Sequence, residues 1–243
     1  YARLWDGTNE GTALSANVTN IDKVAPKDFT PTATSTTKSI TVTATAEDED
    51  ATSESGKSGI AGYRFKLDGG EWTEYQTSGT YTWDNLKQTT DHTIIVETKD
   101  NAENTKQGIV GKETETVTAL TASNTTFTYN PIQETWTNGS VIATVSTTVT
   151  GFTIQTSKDG QQWLNEANQT FTSNGTIYAR LWDGVNEGAI LSANVTNIDK
   201  LAPKDFTPTA TSTTKSITVT ATAEDADATN ANGKSGIAGY RFK

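Results

Sequence analysis

KSITVTATAED, residues 38–48, decides the fold. Ile40, Val42, Ala44 and Ala46 fall on one side of an extended chain, and Thr41, Thr43 and Thr45 on the other. A strict period of two is the mark of a β-strand in a sheet with one wet face. The same eleven residues return at 215–225. Working outward from them, residues 1–66 align with 178–243 without a gap, a shift of 177. Only eight positions differ: Thr8/Val185, Thr12/Ala189, Ala13/Ile190, Val24/Leu201, Glu49/Ala226, Ser53/Asn230, Glu54/Ala231 and Ser55/Asn232. Such identity is a copied unit, and a fixed long period is the signature of an array. Both ends of the chain fall inside units, so the sequence reads as a window on a longer protein.

Downstream of the quoted stretch the strand signals continue. GYRFKLDGGEWTEY places Tyr63, Phe65 and Leu67 on one face, turns on Asp-Gly-Gly, and returns through Trp72 and Tyr75. Asp-Gly between alternating runs is a strong hairpin signal. TYTWDNL (80–86) and HTIIVETKD (92–100) follow, then the polar turn DNAEN (100–104) and a last strand near 111–117. From about 118 a second module offers strands at 125–131, 140–149, 152–163, 168–172, 176–182 and 190–198. Helical periodicity is absent, and strands recur every 8–12 residues or so, the spacing of a β-sandwich of about 90–100 residues.

Composition excludes several classes of function. There is no cysteine and a single histidine, His92, so disulfides, thiol chemistry and Cys/His zinc sites are ruled out. A net charge of −10 disfavours nucleic acid and anionic membrane surfaces alike. No apolar run approaches the roughly 18 residues of a membrane span.

Leu86-Lys-Gln-Thr-Thr-Asp-His92 sits where the fibronectin type III family has a Leu-x-Pro-x-Thr-x-Tyr corner before its sixth strand. On these residues the first module resembles a fibronectin type III or Ig-like domain of bacterial surface proteins. It departs at Gln88 and His92, and its second strand lacks the family's tryptophan. The second module, with YARLWDG and NVTNIDK (178–184 and 194–200), resembles the bacterial Ig-like modules that alternate in such chains. The fold expected is all-β: tandem antiparallel sandwiches of two alternating types. Residues 1–24 would be the last strands of a preceding type-two domain, 25–117 a type-one domain, 118–200 a type-two domain, and 201–243 the front of another type-one domain.

In a sandwich of seven antiparallel strands the first and seventh run the same way, so each module would admit the chain at one pole and release it at the other. Each would extend roughly 30–40 Å. NIDKVAPKDF (20–29), repeated as NIDKLAPKDF (197–206), is the joint from type two to type one. Pro26 and Pro203 restrict φ and bias the preceding alanine to extended backbone, which makes the joint short and stiff.

Candidate chemistry is sparse. The acidic loop AEDEDATSESGKSG (46–59) and the turn at Asp100 would meet at the entry pole beside Asp22. Asp48, Asp50 and Asp100, with Asp22, could ligate Ca²⁺, which takes six to eight hard oxygens; cadherin-like modules stiffen joints in this way, a likeness of fold only. The competing reading is a solvated loop with turn-local hydrogen bonds. His92 lacks any partner for nucleophilic catalysis and reads as a packed corner ring. Trp5, Trp72, Trp83, Trp136, Trp163 and Trp182 could form a sugar-stacking face, but their regular placement after hairpins reads as framework. Sequons begin at Asn17, Asn124, Asn138, Asn168, Asn174 and Asn194, in numbers that the Asn and Thr content explains. No spacing marks a Lys–Asn crosslink. No catalytic, cofactor-binding or metal residue is assigned.

The sequence therefore reads as a non-enzymatic, extracellular repeat in the stalk of a bacterial surface protein. Its partners would be adjacent repeats of the same chain. Two alternatives stay open: lateral packing of identical chains into a filament, and a module that grips glycan or matrix.

Overall fold

The computed structural model describes residues 1–52 and 55–243. Ser53 and Glu54, within the expected acidic loop, lie outside the described residues. The chain forms two compact units, Tyr1–Thr116 and Val117–Lys243, and among the described residues every regular element is a β-strand.

In the first unit the strands are β1 (Thr32–Ser35), β2 (Ile40–Thr43), β3 (Ile60–Leu67), β4 (Thr80–Trp83), β5 (Asp91–Asp100) and β6 (Thr105–Glu113). They make two antiparallel sheets, β1-β2-β4 and β3-β5-β6. The period-two pattern decides which face goes inward. Ile40, Val42, Phe65, Ile94 and Val96 are wholly buried between the sheets, whereas Thr32, Thr43, Thr80 and Thr82 face water. The registers Thr32↔Thr43↔Thr80 and Thr34↔Thr41↔Thr82 place threonine opposite threonine across the outer face, and the Thr41 and Thr82 hydroxyls are 2.8 Å apart.

Several expectations change in detail. The regular ladder of the quoted stretch ends at Thr43, after which Ala44 donates to Gly79 O at 2.8 Å. The return through Trp72 and Tyr75 is no regular strand, but it is tied antiparallel to β3 by Thr73 N to Phe65 O and by a two-way Tyr63–Gln76 pair. The last strand begins at Thr105, not near 111, because the turn at Asp100 closes a tight hairpin and pairing starts at once with Lys99↔Thr105. Val117, 2% exposed, belongs to the core of the second unit. His92 is buried as a corner ring should be, yet among the described residues its ring bonds no backbone; its Nδ1 donates to Asp68 Oδ2 at 2.6 Å. The Thr114 hydroxyl instead ties this corner, donating to Lys87 O at 2.5 Å.

Chain direction follows from the contacts at each end. Lys27 N donates to Glu47 O beside Asp48, where β2 runs out and β3 sets off. β5 ends and β6 starts at that same pole. β1 and β6 therefore both run away from it, and Glu115 N meets Thr36 O at the far end. The type-one module takes the chain in at one pole and lets it out at the other.

In the second unit β7 (Thr125–Asn130), β8 (Val141–Thr147) and β10 (Asn168–Phe171) form one sheet, and β9 (Thr153–Ser157), β11 (Gly175–Trp182) and β12 (Leu191–Val195) the other. Val141, Ala143, Ile177, Ala179, Leu181 and Ile198 are fully buried between them. β7 and β12 again run toward one pole, where the 133–137 turn meets Asn197. β13 (Thr209–Ser212) and β14 (Ile217–Thr220) repeat the β1–β2 register.

The two incomplete copies show what burial requires. Leu4 is 85% exposed where its counterpart Leu181 is fully buried, and residues 1–24 make only isolated bridges rather than the expected strands. Ile217 is 74% exposed where Ile40 is fully buried. The local hairpin forms from propensity and turn; the core needs partners distant in sequence.

Thr89 carries φ +52°, a left-handed conformation that a β-branched residue resists. Its side chain is exposed, and its N–H donates to Thr114 O whatever the side chain. Thr89→Asn, which tolerates this region, should stabilise the module by about 1 kcal/mol and raise its melting temperature by roughly 4–8 °C. An unchanged melting temperature would show that the backbone relaxes there.

Candidate functional site

The acidic pole is built from three segments. Asp22 stands in the joint, where Oδ1 accepts from Val24 N (3.1 Å) and the Ser55 hydroxyl (3.1 Å), and Oδ2 from Ser58 N (2.9 Å). Asp48 follows β2 and binds Glu49 N at 3.0 Å through Oδ1 and Gly59 N through Oδ2. Asp100 ends β5; its Oδ1 accepts from Ala102 N (2.8 Å) and Asn104 N (2.9 Å), and its Oδ2 from Asn104 Nδ2 (2.8 Å). Short acidic side chains folding back on nearby N–H groups are what turns ask for.

Asp48 and Asp100 are 3% and 0% exposed, and one oxygen from each of the three carboxylates lies within 4.8 Å of the others. The structure thus brings together Asp22, Asp48 and Asp100 as the sequence suggested. Asp50 is elsewhere: it is exposed and pairs with Lys27 and Lys57, each at 3.5 Å. Ser58, whose N–H donates to Oδ2, together with the Val24 N–H, holds the Asp22 carboxyl below the usual carboxylate range. Asp50 in turn raises the Lys27 ammonium above its ordinary value.

Three carboxylates could offer a hard cation part of the six to eight oxygens that calcium takes. They also have a structural task that needs only hydrogen bonds, since each already caps backbone donors of the joint, the loop and the hairpin. The second copy repeats that task. Asp199 accepts from Leu201 N (3.0 Å) and Ser235 N (2.9 Å), and Asp225 from Gly236 N.

Sequence reasoning missed the glycine that seats the loop. Gly56 N donates to Ile21 O at 2.6 Å, and a Cβ on Gly56 would lie 2.7 Å from Thr19 O. The signal was present as GKSG, kept at 56–59 and 233–236 while the three residues before it change. Asn101, read from the sequence with Asp100 as making turn-local hydrogen bonds, reaches beyond its own turn; its side-chain amide donates to Ser58 O and Gly59 O, locking the loop to the β5–β6 turn.

The tryptophans have a second arrangement. Arg64 lies 4.6 Å over the Trp72 ring and 4.9 Å over Tyr75, with Lys66 5.5 Å from Trp72. Arg180 covers Trp163 at 4.2 Å. These rings stack on cations of their own sheet, where they shield the Arg64–Glu97 pair, 2.6 Å apart, and the bond from Arg180 Nε to Gln155 Oε1. Trp83 packs edge-on to Tyr81. Of the sequons, Asn17, Asn138, Asn168 and Asn194 are exposed, whereas both side-chain polar atoms of Asn174 are engaged by the Ile198 backbone.

Solved structures that resemble the chain are tandem fibronectin type III segments. The two-domain segment of chicken tenascin shares 12% identity with a TM-score of 0.30 and covers 70% of this chain and 97% of that one. The FN1–FN3 domains of chicken CNTN1 share 13% with a TM-score of 0.28, covering 73% and 68%. No family model and no curated protein matches. At such scores the sandwich stands on its own strand order, three strands facing three in each module.

Proposed function

We propose that this chain is a structural, non-enzymatic repeat of an extracellular stalk, holding a terminal part of a bacterial surface protein at a distance and bearing tension. The observation that carries this reading is the polarity of the type-one module, which receives the chain at the acidic pole and releases it at the far end. Modules wired in that manner join in series. The core bonds of the joint recur in both copies: Gly56 N to Ile21 O and Gly233 N to Ile198 O, Val24 N to Asp22 and Leu201 N to Asp199, Ser58 N to Asp22 and Ser235 N to Asp199. The series divides as the sequence suggests, into 1–24, 25–117, 118–200 and 201–243, with Val117 passing to the type-two piece. Among the described residues no helix is long and apolar enough to cross a membrane.

Cations cover the Trp72 and Trp163 rings, the two that follow the Asp-Gly hairpins, so glycan binding through them is the weaker alternative. Lateral assembly would use edge strands, but β6 carries Lys106 and Lys112, which discourage pairing. Size-exclusion chromatography with light scattering and small-angle scattering tests the proposal. An elongated monomer is the expected result; a concentration-dependent polymer would favour the filament, and a compact monomer would end the stalk reading.

A further inference from the structure

The type-two module ends in a surface that the type-one loop fills. At its exit pole Thr137 and Ile198 form a parallel bridge, and Asn174 clamps the Ile198 backbone from the side, Oδ1 on its N–H (2.9 Å) and Nδ2 on its carbonyl (3.0 Å). The loop of the following type-one copy then adds two backbone bonds: Asn174 N donates to Ala231 O at 2.8 Å, and Gly233 N to Ile198 O at 2.7 Å. Gly233 lies under Trp136, where a Cβ would come within 2.2 Å of the indole ring and 3.1 Å of Thr196 O. No other residue fits that gap without moving an aromatic ring. Gly56 meets the equivalent carbonyls, Thr19 and Ile21, in the first copy.

The substitutions between copies respect this contact. Ser55 becomes Asn232, yet both side-chain oxygens accept from the same joint N–H: Ser55 Oγ from Lys23 N at 2.9 Å, and Asn232 Oδ1 from Lys200 N at 3.2 Å. Ala231 contributes its backbone carbonyl to the contact.

We infer that the exit pole of the type-two module is a seat for the type-one loop at 229–236, closed by Trp136 over Gly233, so that the two types recognise each other and the joint between them is locked. The partner is chemically defined: a loop that presents glycine flat to an indole, with a free carbonyl two residues earlier. This rests on the serial reading above and adds to it that the order of the types is specified by contact. The modules could still form an elongated monomer with an unlocked joint, so hydrodynamics and the following test fail independently.

Amide hydrogen exchange on the full chain decides it, comparing the unaltered protein with Gly233→Ala, Trp136→Ala and the control Gly239→Ala, whose new Cβ would meet nothing within 4 Å. Both test variants should speed exchange of the Asn174 amide and of the amide at position 233 by roughly tenfold or more beyond the intrinsic rate of the residue there, with β11 amides and the control unchanged. Two results overturn the inference. One is wild-type exchange at both amides in both variants. The other is acceleration of β11 in step with them, which would make the contact part of the type-two fold rather than a separable seat.

Discussion

Phe65→Ala should destabilise the type-one module by about 3–5 kcal/mol while leaving the type-two module untouched. Phe65 is fully buried, stacks on Tyr81 at a centroid separation of 5.5 Å, and packs in the cluster that holds Ile40, Val42, Ile94 and Val96. Truncating it removes both the transfer free energy of the ring and the contacts its neighbours had with it. Domains of this size have about 5–15 kcal/mol in all, so the loss is a large share. The type-two core, centred on Val141, Ile177 and Leu181, shares no residue with that cluster. Calorimetry should therefore show one transition moved down and one in place. The chain supplies its own control, because Phe242 is the same position in the second copy and is 64% exposed. Phe242→Ala should change neither transition by more than about 0.5 kcal/mol. Equal effects of the two substitutions would mean that burial, the premise of the fold, had been misjudged.

That contrast also shows how far the sequence could be read. Inward and outward faces were legible at 38–48 and 58–67 because a period of two needs no knowledge of the partner strand. The strand at 105–110 was not, since Gly108 and Gly111 interrupt the alternation there. Gly108 is a glycine for a tertiary reason: a Cβ would lie 2.7 Å from Pro31 Cδ and 2.8 Å from Phe29 O. The acidic pole was foreseen through topology, which brings the 46–59 loop, the turn at Asp100 and the joint to one end. Which of two nearby aspartates turns inward is decided by a single loop bond, Asp48 to Gly59 N, and no local pattern separates Asp48 from Asp50. His92 was assigned to a corner by resemblance, and its position agrees; its bond to Asp68 depends on the left-handed turn at Asp68, φ +49°, visible in the sequence only as an Asp-Gly hairpin. The Gly233–Trp136 contact joins residues almost a hundred positions apart and leaves no periodic trace at all.

Glu97→Ala should cost about 3 kcal/mol and flatten the pH dependence of type-one stability at both ends. Glu97 is 6% exposed on the outer face of β5. Its Oε1 accepts from Arg64 Nε (2.8 Å) and Tyr75 Oη (2.7 Å), and its Oε2 from Gln107 Nε2 (2.6 Å). Removing the acid leaves the guanidinium and the phenol without their acceptor. The Arg64 side chain stays 31% exposed, so water softens the loss to the lower end for a broken buried pair. Burial pushes the Glu97 carboxyl upward, but the bonds from Gln107, Tyr75 and Arg64 and the Arg64 charge outweigh it and hold the group below its ordinary 4.5. A depressed acid contributes stability that is present above its unfolded value and lost as pH falls below about 4.5 through the folded one. Tyr75 runs the other way. Burial and the bond to the Glu97 carboxylate raise its phenol from 10.0 to about 12, so stability drains as pH climbs between those values. Between the two limbs this network contributes a plateau. Glu97→Ala removes the acid limb's contribution outright and shrinks the alkaline limb, since the phenol keeps the upward push of burial but loses the carboxylate that helped hold its proton. Glu97→Gln separates charge from geometry: it keeps an acceptor for Tyr75 or Arg64 and loses the acid limb, so its cost at neutral pH should be smaller than that of alanine. Urea unfolding of the type-one transition at pH 3, 7 and 11 measures all three. Identical pH profiles for the unaltered protein and Glu97→Ala would show that the network lies on the surface without holding it together.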